Sequence, residues 1–153
     1  MTPDAASDHS SAPWLDYDYA VLRVVPRVCV GAYRDVGVVL HARRARFLEA
    51  RILDTARAGV REDLARWAPD DFDLDLLADT LAAYGRVARA EGGRVGSGPI
   101  GRLTPSERFH WLVAVRSSAV QASPVHVGRA QDLEAEVERL YALYVDPTAE
   151  PAG

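Results

Sequence analysis

The sequence has no lysine and no asparagine, a single cysteine, and no long hydrophobic run. Without lysine there is no Schiff-base nucleophile and no phosphate-binding lysine of the P-loop kind. With Cys29 alone there is no intramolecular disulfide and no multi-cysteine zinc site. No apolar stretch approaches the roughly 20 residues that span a bilayer. Met1 to Pro13 is small and polar and lacks the apolar region of a secretory signal, so a cytoplasmic setting is expected. Basic excess is missing too: 22 acidic residues stand against 18 basic ones, which argues against bulk nucleic-acid binding.

All 18 basic residues are arginine, and alanine and valine are abundant, a pattern of GC-rich coding before it is one of function. With 48% hydrophobic and 26% charged residues the composition is globular. A chain of 153 residues reads as one domain that supports its own core. Residues 1–15, rich in Ser, Asp, Ala and Pro, read as a disordered lead, 16–145 as the domain, and 146–153 as a frayed tail.

Tyr17 to Val25 reads as a strand with both alternating sets apolar, hence covered on both faces. Pro26 ends it. Val36 to His41 is a second, β-branched run, Arg43–Arg44 a polar turn, and Arg46 to Leu53 a half-buried third strand. Short connections favour an antiparallel meander. Val60, Leu64 and Trp67 keep helical spacing, and Pro69 closes that helix. Leu74, Leu77, Leu81, Tyr84 and Ala88 stripe a longer helix, whose early aspartates suit its dipole better than they suit a metal. Gly92 to Gly101 reads as a loop. Thr104-Pro105-Ser106-Glu107 is a capping box that starts a helix running to Val113–Val115. Ala119 to Val127 reads as a fourth strand, at an edge or bulged because of Pro124. Leu133, Val137, Leu140, Tyr141 and Tyr144 mark a last helix. The expected fold is a single α+β domain: an antiparallel sheet of about four strands, three in an N-terminal meander and one C-terminal, packed with about four helices.

Gly96-Ser97-Gly98-Pro99-Ile100-Gly101 spells G-x-G-x-x-G, but a helix precedes it and Pro99 lacks an amide donor, so a connector is the better reading than a dinucleotide site. Ser106, Glu107 and His110 share one helix face and could form a nucleophile–base pair, yet serine is favoured in a first helical turn for capping alone. Of the histidines, His9 falls in the lead, His41 ends a strand as a structural residue, and His110 and His126 could meet across helix and strand. Two histidines without a third ligand do not make a metal site, and no cofactor is expected. The densest polar segment runs from Arg108 to His126. Arg108, His110, Trp111, Arg116, Ser117, Gln121, Ser123 and His126 form the candidate anion or partner site, because guanidinium forks and hydroxyls grip phosphate and carboxylate oxygens. The same groups could equally form an internal network. Charge is bipolar: Arg43 to Arg66 holds seven arginines against four acids, and the last helix and tail hold six acids against Arg139.

Tyr17 to Arg27 followed by Asp35 to Leu40, Gly98 to Leu103 with Glu107 to Leu112, and Arg116-Ser117, Gln121 and Ser123 to Gly128 resemble, in order, the opening, middle and close of the bacterial domain-of-unknown-function family 3037. The resemblance covers about Tyr17 to Tyr144. It departs at Val115, where members usually carry a proline, and at Val28-Cys29-Val30, where they often carry acids. It implies no activity. It does imply a partner, since members are often encoded beside a kinase-like protein resembling the HipA toxin kinases. The expected function is a non-enzymatic accessory module binding such a protein. The competing expectation is an enzyme or sensor for a phosphorylated or nucleotide-like anion held by Arg108, His110, Arg116, Gln121 and His126.

Overall fold

A computed structural model describes residues 12–26, 32–90, 99–114 and 118–145. Most of the expected lead, the tail, Cys29, Arg116, Ser117 and Gly96–Gly98 lie outside these residues.

The sheet is built around β1 (Leu15–Val24), which pairs antiparallel with β2 (Arg34–Ala42), itself antiparallel to β3 (Phe47–Ile52). This is the expected meander, and the Arg43–Arg46 turn closes its second hairpin with a hydrogen bond from the Arg46 amide to the Arg43 carbonyl. Arg46 has φ 51, the left-handed conformation that glycine or asparagine usually takes. A bulge interrupts β1–β2: Leu22 faces Gly37, Arg23 faces Asp35, and Val36 is the extra residue. Gly37 is required there, because a Cβ would stand 2.9 Å from the Arg51 carbonyl oxygen of β3.

The other edge of β1 differs from expectation. The single strand expected over Ala119–Val127 is two strands, β4 (Val120–Ala122) and β5 (His126–Ala130), both antiparallel to β1. The described sheet therefore has five strands. Pro124 is the reason, since it has no N–H for the ladder. Ser123 repairs the break. Its amide donates to the Val21 carbonyl at 2.8 Å, and its hydroxyl accepts from the Val21 amide at 2.9 Å.

Four helices complete the described fold: α1 (Val60–Trp67), α2 (Leu74–Arg89), α3 (Pro105–Val113) and α4 (Leu133–Tyr144). Asp73, Thr104 and Asp132 cap α2, α3 and α4 through side-chain oxygens, and Thr104 forms the expected capping box with Glu107. Just before α3, Pro99–Arg102 is a 3₁₀ turn where a continuous loop was expected. Leu22, Val24, Val39 and Ile52 pack against Leu64, Leu81, Val87, Phe109 and Leu112 on one face of the sheet. Val38, Leu40 and Ala42 pack against Leu133, Val137 and Leu140 on the other. β1 and β2 are thus covered on both sides, which is why both of their alternating sets are apolar. Leu64 is the only fully buried residue of α1, and burial of its side chain contributes roughly 1.5–3 kcal/mol.

Candidate functional site

The described residues of the segment Arg108–His126 do not converge on one place. Arg108 is buried under α3, and its guanidinium donates to the carbonyls of Val87 at 2.8 Å and Ala88 at 3.0 Å, and through Nε to Leu103 at 3.2 Å. Val87 and Ala88 lie in the last turn of α2, where carbonyls lack intrahelical partners and where a cation suits the dipole. Arg108 thus ends one helix from another. Trp111 is half-buried, its ring 5.8 Å from that of Tyr84. Gln121 donates to the Ser118 carbonyl at 3.0 Å, and the Ser123 hydroxyl donates to the Pro124 carbonyl at 2.9 Å. His110 is exposed on α3 and His126 is exposed on β5, where its ring meets Tyr19 at 5.2 Å. Arg116 and Ser117 are not among the described residues.

Nor do Ser106, Glu107 and His110 work as a set. The Glu107 carboxylate accepts from Thr104 in the capping box. Ser106 Oγ lies 3.1 Å from Nε2 of His41, whose buried ring stacks on Phe109 at 5.1 Å. This contact pins the start of α3 to the end of β2. Burial holds the His41 imidazole below its usual pKa, with His110 and Arg43 acting in the same direction and Asp18 opposing them. The pairing of β1 with β2 explains the carboxylate: Asp18 stands directly across from His41.

A groove of about 490 Å3 opens beside His41 on the same face of the sheet. Its walls carry Asp16, Asp18, Arg43, Arg44, Val127 and Arg129. Arg129 pairs with Asp16 at 3.3 Å. Arg43, Arg44 and Arg46, all exposed at the hairpin tip, have no carboxylate partner among the described residues, whereas Arg61 and Arg66 each have one and Arg51 has two. The sequence marks this tip as a polar turn and His41 as a structural residue. The spacing Arg43-Arg44-Ala45-Arg46 was visible, but its position beside β5 depends on two strand pairings.

A larger cleft of about 770 Å3 lies between the start of β2 and the start of α1, lined by Tyr33, Arg34, Asp35, Arg57, Asp63 and Tyr144. Arg34 is ion-paired with Asp63 and lies 5.1 Å from the ring of Trp67. At the β-bulge, Arg23 Nε and Asp35 Oδ1 are 3.8 Å apart, and neither buried atom has a hydrogen-bond partner among the described residues. Burial raises the Asp35 carboxyl pKa, and the Arg23 charge partly offsets it. Arg23 is held from its other side by the ring of Tyr33, 4.1 Å from the guanidinium carbon.

On the opposite face, the Tyr17 hydroxyl donates to Glu136, which Arg139 grips with two bonds of 2.8 Å. The hydroxyls of Tyr19 and Tyr144 are 2.8 Å apart. Among the described residues no three His, Cys, Asp or Glu side chains converge to hold a metal, and no helix is long and apolar enough to cross a membrane.

No curated protein and no solved structure matches the chain. The profile of a family described as protein of unknown function, DUF3037, matches residues 19–145. That span runs from the middle of β1 to the end of α4 and takes in part of β1 and every later strand and helix described above, so the chain belongs to the DUF3037 family.

Proposed function

We propose that the chain is a non-enzymatic accessory module of a bacterial cytoplasmic system, working by binding a protein partner. The family resemblance points to a HipA-like kinase as that partner. One observation carries the reading: the groups best shaped to hold a small ligand serve the protein's own frame instead. Arg108 caps α2, Ser123 completes the β1 ladder, Gln121 closes a local turn, and Ser106 anchors α3 on His41. A phosphate held by Arg108 would have to compete with three main-chain carbonyls. The test is co-expression with the neighbouring kinase-like protein followed by size-exclusion chromatography. The two proteins should elute together as one species. Elution of each alone, at micromolar concentration and physiological salt, refutes the reading.

A further inference from the structure

We infer that the chain binds a second copy of itself through β3: the two strands pair antiparallel about a two-fold axis at Ala50 and join the two sheets into one. This self-association is independent of whether a kinase-like partner exists.

β3 is hydrogen-bonded to β2 only, so among the described residues its outer edge has no strand partner. The Ala50 amide points off that edge: it donates to the neighbouring side chain, Glu49 Oε1, at 3.1 Å. In the single chain this bond blunts the edge. In an antiparallel sheet, two residues that form a hydrogen-bonded pair exchange both of their N–H···O bonds. With Ala50 on a two-fold axis, the Ala50 amide of each copy donates to the Ala50 carbonyl of the other. Such an interface uses the same patch twice and closes at two copies. A groove of about 210 Å3 runs between β3 and α2, walled on the helix side by Ala78, Ala82 and Gly85, with Arg86 and Arg89 exposed. Those small side chains leave the edge open to a further strand.

The side chains choose the register. Counting outward from Ala50, Glu49 of each copy faces Arg51 of the other, and Leu48 faces Ile52. The charged pairs are opposite in sign, and the apolar pairs lie on the face that packs against α2. Shifting the register by two residues either way sets Glu49 against its own copy or Arg51 against its own, which is unfavourable. Arg51 has a donor left for a second copy's carboxylate. Its Nε donates to Glu138 and its Nη1 lies 3.2 Å from Glu49 of the same chain, which leaves Nη2. The Glu49 carboxylate released by the Ala50 amide thus finds a new partner across the axis.

Sedimentation velocity of the full chain over a concentration series tests the pairing. The wild type should be a dimer at micromolar concentration. Glu49→Arg or Arg51→Glu alone sets like charges opposite each other at both pairs and should weaken the dimer roughly tenfold or more. The double variant Glu49→Arg/Arg51→Glu restores opposite charges and should recover the dimer. Mixing the two single variants should do the same, because they complement each other as a heterodimer. That mixture separates an effect at the interface from loss of the Glu49–Arg51 pair within one chain. A monomer at every concentration, a dimer indifferent to the single variants, or single variants rescued by neither combination overturns the inference. Should a single variant fail to fold by circular dichroism, amide exchange in the wild type decides. The Ala50 amide should exchange more slowly as concentration rises, and exchange independent of concentration overturns the pairing.

Discussion

Gly128 is the position where the fold makes the sharpest demand on a residue. It stands across from Tyr17, and a Cβ placed on it would lie 2.5 Å from both Cζ and the hydroxyl oxygen of that ring. In an open strand, replacing glycine by alanine is favourable by roughly 0.5–1 kcal/mol, because glycine loses more backbone freedom on folding. Here the sign should reverse. The Tyr17 ring cannot swing aside freely, since its hydroxyl is bonded to Glu136, and Arg139 fixes that carboxylate from the other side. Overpacking costs about 1–3 kcal/mol. Weakening a hydrogen bond to a charged group adds about 1.5–3 kcal/mol if the ring is fully displaced. With the entropic gain subtracted, Gly128→Ala should destabilise by roughly 2–4 kcal/mol. For a chain of this length that lowers the melting temperature by about 5–15 °C. Urea unfolding of a double-mutant cycle is the assay. In a Tyr17→Ala background the same substitution should be neutral or stabilising, so the coupling should account for nearly the whole effect. Equal losses in both backgrounds, or a more stable single variant, would refute the account.

Ser123→Ala should destabilise by about 1–3 kcal/mol, because it leaves the buried Val21 amide without an acceptor, and denaturant titration measures this. Arg108→Lys should cost about 2–4 kcal/mol despite keeping the charge, since one ammonium cannot reproduce the fork on Val87, Ala88 and Leu103; stability equal to the wild type would show that charge alone matters. The hydroxyl pKa values of Tyr17 and Tyr19 are pushed up to about 12, in both cases first by burial and then by the hydrogen-bonded neighbour, Glu136 for Tyr17 and Tyr144 for Tyr19. A folded-state pKa above the unfolded 10.0 means that the folded chain holds its protons more tightly, so this stability is complete below pH 10.0 and is lost as pH rises through about 12. Tyr17→Phe should flatten the pH dependence of unfolding in that window, and phenolate absorbance showing every tyrosine titrating at its ordinary value would exclude the effect. Arg46→Gly should stabilise the hairpin by up to about 1 kcal/mol by relieving the left-handed conformation; a melting temperature at or below the wild type's would refute this.

What was legible in the sequence was local. The capping box at Thr104–Glu107 and the stripe from Leu74 to Ala88 depend on residues within one or a few turns, and they placed α3 and α2 correctly. The double apolar alternation of β1 announced its coverage on both faces. What was hidden depends on partners far apart in the chain. Ser106 finds His41 across 65 residues rather than His110 four residues away, because the face of α3 that carries Ser106 and Phe109 packs down on β2 while His110 turns outward. Pro124 marked a defect in the last strand, but not that the chain would break there and resume pairing on the same side of β1.

Arginine shows the same limit in reverse. A sequence without lysine gives every cation the same permanently charged fork, so residue type cannot separate a framework arginine from a recognition arginine. Topology separates them. Arg108 lies where a helix ends, and burial there is favourable because the Val87 and Ala88 carbonyls replace water. Arg43, Arg44 and Arg46 lie on a hairpin tip, hydrated and without carboxylate partners among the described residues, where lost hydration is recovered only if an anion arrives. The buried histidine is constrained in a different way: His41 is stacked on Phe109 and bonded to Ser106, and burial disfavours its charged form. In this chain the place of a polar group in the topology, rather than its type, decides whether it serves the frame.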